Sequence, residues 1–146
     1  MTSLSPLRRL SIAVVALAAT ASTLAAVRSY ADTPPEEWKA PARAARRKNP
    51  VPADEKSLAQ GKAAYAAQCL SCHGPAGHGD GTAAKDLNPK PRDLSTPAIQ
   101  EQSDGSIFWK LTEGKKPMPT FEKLLTEEQR WCVINYVRTL ATKGGK

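Results

Sequence analysis

Cys69, Cys72 and His73, in the run Cys69-Leu70-Ser71-Cys72-His73, are the residues whose types and spacing best suit chemistry. Two thiols three residues apart on a helical turn can each form a thioether to one of two neighbouring haem vinyls. The adjacent His then lies over the ring and can bind iron through its imidazole. This is the spacing of c-type haem attachment. Covalent attachment keeps haem in an open, exported protein that would otherwise lose it. The competing readings fit less well. A thioredoxin-like redox pair wants a βαβ context, which the sequence lacks. A zinc site wants four ligands, and the other candidates are Cys132 and His78. A disulfide between Cys69 and Cys72 leaves His73 and the long loop after it unexplained. Three cysteines also rule out a fully paired disulfide framework.

The elements that must position this motif read as helices. Asp54, after Pro52-Ala53, predicts an N-cap, and Glu55 favours the positive helix start. Leu58, Gly61, Tyr65 and Cys69 recur at spacings of three and four and share one face. Gly61 on that face implies close approach of another backbone or a ring. Gly74, Gly77, Gly79 and Gly81, then Pro89, Pro91 and Pro97, mark almost thirty residues without periodicity. Such a stretch in a small domain needs something to wrap around. A second helix is expected from Ser103 or Asp104 to Glu113, with Gly114 as its stop, and Phe121 to Leu125 adds a turn. In the last helix Thr126 is the cap, Gln129 completes a capping box, and Glu127 and Glu128 occupy the first turn. Its apolar arc is Cys132, Val133, Ile134, Tyr136, Val137, Leu140 and Ala141, with Asn135, Arg138 and Thr142 opposite. No strand pattern emerges. The expected fold is all-α, a small globule of three main helices around one covalently bound haem.

The 146 residues carry 21 Lys+Arg against 14 Asp+Glu, with 40% hydrophobic and 5% aromatic residues. One domain is expected at this length. The apolar residues concentrate in 11–27 (SIAVVALAATASTLAAV), leaving little for a core. Disulfides, metals or cofactors often make up such a shortfall in domains below about 100 residues. Residues 1–31 read as a secretory signal. Arg8 and Arg9 form its positive region, an uncharged run of 18 residues follows, and Ser29-Tyr30-Ala31 offers small residues for cleavage after Ala31. The rival reading is an uncleaved membrane anchor, which wants about 20 strongly apolar residues. The expected location is the periplasm or an equivalent exported compartment. The net charge of +7 includes Arg8, Arg9 and Arg28; from Asp32 onward 18 basic residues face 14 acidic ones, a balance of +4. That is too small to argue for nucleic acid. Residues 32–53 hold five prolines and the basic run Arg43, Arg46, Arg47 and Lys48, and read as a linker or arm. Trp38 within it is either a linker residue or an anchor for a partner. Residues 54–142 form the haem domain and 143–146 a tail.

Over residues 54–142 the chain resembles the class I cytochromes c, the small mono-haem electron carriers. Gly61 and Tyr65 look like the small and aromatic positions of that family's N-terminal helix, which crosses the C-terminal helix, where Tyr136 matches the aromatic partner. The resemblance implies a sixth iron ligand from a Met in a loop before the last helix. Met118, in Lys116-Pro117-Met118-Pro119, stands there, 45 residues after His73. Its bland alternative is a gap-filling side chain. The resemblance also implies that a loop proline carbonyl, of Pro89 or Pro91, receives the Nδ1 proton of His73 and strengthens it as a ligand. His78 reads as a loop histidine and Cys132 as a buried packing thiol. Trp109 and Trp131 pack either on the porphyrin or on each other and nearby loops. Lys115 and Lys116 either are solvated or face an acidic partner.

The resemblance implies one-electron transfer by haem c iron with His73 and Met118 as axial ligands, an exported respiratory carrier rather than an enzyme. Its expected partners are redox proteins, above all membrane respiratory complexes, with no small-molecule substrate. The alternative is a haem c subunit of a larger oxidoreductase, docked through residues 32–53. A haem enzyme or sensor with an open iron position comes third, because no distal acid–base pair is evident.

Overall fold

Six α-helices and one 3-10 turn supply the regular structure of residues 38–141, which are those described in the computed structural model, and no strand occurs among them. The expectations for 1–31 and for Thr142 and the 143–146 tail lie outside the described residues. Lys39 opens the unit that contains all of these helices. They are α1 (Ala42–Ala45), α2 (Glu55–Gln68), α3 (Leu70–His73), α4 (Pro97–Gln100), α5 (Asp104–Glu113) and α6 (Glu127–Thr139), with the 3-10 turn at Ala84–Asp86. The all-α expectation holds, and α2, α5 and α6 are its three long helices.

Local signals start these helices where the sequence puts them. Asp54 Oδ1 accepts from the Ser57 amide at 2.8 Å while Ser57 Oγ accepts from the Asp54 amide at 3.1 Å. Thr126 and Gln129 make the same reciprocal box on α6, at 3.2 and 2.9 Å. Ser103 caps α5, and Gly114, at φ +66°, ends it.

The largest helix pair is α2 on α6. Ser57, Gly61 and Tyr65 are the buried residues of α2, with Cys69 next in the same spacing. Leu58, expected on this face, is only half-buried. A Cβ at Gly61 would lie 2.0 Å from the Cys132 carbonyl oxygen, so the two backbones touch there. Tyr65 then meets Tyr136 with ring centroids 5.2 Å apart. Helix α5 completes the core with Ile107, Phe108 and Leu111; Phe108 stacks on Trp131 at 4.0 Å. Trp131 therefore pairs with Phe108.

One expectation changes. Asn135, placed on the outer face of α6, is buried: its Nδ2 faces the carbonyls of Val51 and Pro52 and the Ser57 hydroxyl at 3.1 to 3.2 Å. The described part of the 32–53 segment lies along the domain as a strap. Ser103 Oγ donates to the Ala45 carbonyl at 2.7 Å, and Asn49 Nδ2 donates to Asn135 Oδ1 at 2.8 Å. The Arg47 guanidinium lies 4.5 Å from the Phe108 centroid and its Nη2 donates to Glu127 Oε1 at 2.6 Å. Helical and strand periods do not register such contacts, because each partner is remote in the chain.

Gly61→Ala should cost a net 1–3 kcal/mol or so, the usual penalty for forcing atoms into a packed contact. It should do so despite the ~1 kcal/mol that Ala gains over Gly in helix propensity. Urea unfolding of the haem-loaded protein measures it as a lower midpoint. A midpoint at the wild-type value would show that α2 and α6 can part without loss.

Candidate haem attachment site

Cys69 closes α2 and opens the single turn α3. The amides of Cys72 and His73 both donate to the Cys69 carbonyl, at 3.1 and 2.8 Å, which sets the two cysteines on one side of the turn. Both are free thiols, Cys69 buried and Cys72 half-buried. Burial, reinforced by the neighbouring Cys72, pushes the Cys69 thiol up to about 12. A thioether carries no ionisable proton, so this sulfur loses nothing by being buried once it is alkylated.

The chain beyond His73 folds back over the turn. Amides of Ala83, Gly81 and Gly79 donate to the carbonyls of Ser71, Cys72 and His73 at 2.8, 3.1 and 2.9 Å. The carbonyls left open at a helix end are thereby satisfied. Gly81 is required here, since a Cβ would stand 2.3 Å from the Ser71 carbonyl oxygen. Tyr65 fastens the same loop from α2, its buried hydroxyl donating to the Gly74 carbonyl at 2.7 Å. Burial raises the Tyr65 pKa, which keeps that donor protonated.

His73 Nδ1 lies 3.2 Å from the carbonyl oxygen of Arg92. A carbonyl only accepts, so Nδ1 bears the ring proton and Nε2 presents its lone pair. Burial lowers the His73 pKa, with the Arg92 bond opposing, and the imidazole stays neutral near pH 7. This is the tautomer an iron ligand needs. The receiving carbonyl is that of Arg92, not that of Pro89 or Pro91, which the family resemblance implied. The Pro91 carbonyl turns toward Gly79, where a Cβ would lie 2.4 Å from it, and the next carbonyl in the chain faces His73.

Met118 stands on a tight loop closed by reciprocal backbone bonds between Lys115 and Met118, at 3.1 and 2.9 Å. Gly114 allows the loop to fold back, for a Cβ there would sit 2.5 Å from the Pro119 backbone. The far end is fixed by the Phe121 amide on the Leu111 carbonyl at 3.0 Å. Met118 is half-buried against the same apolar cluster that contains Cys69. Lys115 and Lys116 are exposed. Two free thiols, a neutral imidazole whose Nε2 lone pair is left over by the Arg92 bond, and a thioether on the shared core fit haem c. His78 pairs with Asp93 instead, and Cys132 is fully buried with its Sγ 3.4 Å from Gln60 Oε1. Sequence reasoning missed the Arg92 carbonyl, which any residue could supply, and the Tyr65 hydroxyl, read only as an aromatic surface.

The family model for cytochrome c oxidase, cbb3-type, subunit III matches residues 56–137, more than half of the chain. A chain of the Kuenenia stuttgartiensis reducing HAO-like protein complex is similar at 29% identity and a TM-score of 0.57. The match covers 64% of this chain and 47% of that one, so this chain spans about half the neighbour's length. Curated proteins give no match. A cytochrome c domain holds haem c with its iron and transfers electrons. On its attachment turn, its helical frame and the match over 56–137, the chain belongs to the mono-haem c-type cytochrome family, with the cbb3-type subunit III domains.

Proposed function

We propose that the chain is an exported one-electron carrier in which Cys69 and Cys72 hold one haem covalently and His73 and Met118 fill both axial positions. The observation that carries the reading is the Arg92 carbonyl on His73 Nδ1, which leaves Nε2 as a donor beside two free thiols. When bound, the haem iron supplies the ferric–ferrous couple. The protein's own part is to hold the imidazole in one tautomer and to offer a thioether from a closed loop. A His/Met pair favours a high potential. Filled axial positions favour fast electron exchange over substrate binding.

The partners on this reading are redox proteins. A second reading, a haem subunit within a larger oxidoreductase, draws support from the matched family, an oxidase subunit, and from a neighbour that is part of a protein complex. On that reading the docking segment is residues 32–53, whose described part is held on the domain through Ala45 and Asn49 and keeps Arg43, Arg46 and Lys48 exposed. Among the described residues no helix is long and apolar enough to cross a membrane. Export rests on the sequence of residues 1–31.

The ferrous wild type should be low-spin and bind carbon monoxide poorly. Met118→Ala should retain the haem, admit carbon monoxide, and lower the reduction potential by on the order of a tenth of a volt, a fraction of the ~0.8 V that axial ligands command. A wild type that is already high-spin and binds carbon monoxide readily would remove Met118 as ligand. Mass spectrometry of protein from the exported fraction should give Asp32 as the first residue; retention of 1–31 would favour the anchored form. Electron transfer to a partner should slow with rising salt and in Lys115→Glu/Lys116→Glu, because charge steering is screened over about 8 Å at physiological ionic strength. A rate unmoved by both would make these lysines ordinary solvated surface.

A further inference from the structure

The carbonyl that faces His73 belongs to a loop without regular structure, so something must hold it in place. Three contacts bind the loop around Arg92 to the segment 77–79. The Leu94 amide donates to the Gly77 carbonyl at 2.7 Å, and the Pro91 carbonyl packs on the bare Cα of Gly79. The third is Asp93. Its Oδ1 accepts from the Ser95 amide at 2.8 Å and from the Ser95 hydroxyl at 2.6 Å, and Ser95 is 2% exposed. Its Oδ2 lies 3.2 Å from His78 Nδ1. An ionised carboxylate only accepts, so His78 carries its proton on Nδ1 toward Asp93. The Ser95 hydroxyl and amide hold the Asp93 carboxyl below the usual carboxylate range, so it is charged at neutral pH. The segment so clamped also carries Gly79, whose amide binds the His73 carbonyl at 2.9 Å. One carboxylate thus ties together the two stretches that contact His73, one at its backbone and one at its ring.

We propose that Asp93, through Ser95 and His78, is a positioning residue that keeps the Arg92 carbonyl on His73 Nδ1 and thereby sets the donor strength of His73 toward the haem iron. This rests on His73 being the iron ligand. A firm Nδ1–H···O bond makes the imidazole more basic, which favours the ferric state. Loosening the clamp therefore raises the potential. Loss of the Asp93 charge also raises it, so the potential alone does not separate the two causes, whereas proton exchange at Nδ1 does.

The test uses the haem-loaded protein and NMR of the His73 ring. In Asp93→Ala the Nδ1 proton should exchange with solvent about five- to tenfold faster than in wild type, the equivalent of one or two hydrogen bonds, and the potential should rise. Asp93→Asn keeps an oxygen for Ser95 while removing the charge, and should restore most of the exchange protection. Ser95→Ala, which keeps the charge, the Ser95 amide bond and the His78 contact, should speed exchange by less than Asp93→Ala does. Wild-type exchange rates in both alanine variants, or Asn behaving like Ala, would overturn the clamp and leave Asp93 only its charge. If the oxidised wild type shows no paramagnetically shifted His73 ring protons, His73 ligation itself fails, and the clamp falls with it. Shifted ring protons with unaltered exchange in the variants would sink the clamp alone.

Discussion

The close approach of α2 to α6 at Gly61, where a Cβ would stand 2.0 Å from the Cys132 carbonyl oxygen, governs the placement of the haem motif. Positions four residues apart lie one above another on a helix. Fixing Gly61 on α6 therefore fixes Tyr65 one turn on and Cys69 at the helix end. Tyr65 converts that placement into a loop contact through its hydroxyl on Gly74. Cys69 converts it into a buried sulfur at the start of the attachment turn. A longer side chain at position 61 would push the whole series outward. The chemistry of Cys72 and His73 would then have no fixed frame.

Charged side chains bonded to backbone carbonyls supply much of the remaining order. Arg130, 7% exposed, donates from Nη1 to the Phe121, Glu122 and Leu125 carbonyls at 3.0 to 3.3 Å. That holds the turn immediately after the Met118 loop. Arg138 reaches the Gln100 and Gln102 carbonyls and the Asp104 carboxylate, joining α4 to the start of α5. Hydrogen bonds to charged groups contribute more than neutral ones, about 1.5–3 kcal/mol each. The described apolar core has eleven buried members, with Met118 and a few other side chains packed on it. Arginine staples and a bound porphyrin together suit a domain whose own apolar content is small.

The strap at 39–53 follows the same logic. It contributes little apolar surface beyond Val51, and is held by Arg47 over Phe108, by Asn49 on Asn135, and by Ala45 under Ser103. The Arg47–Glu127 pair is exposed and adds little by itself. The stacking over Phe108 joins the strap to the Phe108–Trp131 pair at the junction of α5 and α6.

The amino-acid sequence determined whatever depends on neighbours within about a turn. The caps at Asp54, Ser103 and Thr126, the stop at Gly114 and the Cys69–Cys72–His73 turn are all of that kind, because side chain and partner lie within four residues. Gly61 was legible as a place of close approach, since a bare Cα on a buried face has few other uses. The tertiary structure alone decided that Asn135 turns inward, that residues 39–53 lie along the domain, and that Arg92, not Pro89 or Pro91, faces His73. The reason is common to all three. Their partners are dozens of residues away or are backbone carbonyls, and a carbonyl leaves no mark in a sequence of side chains.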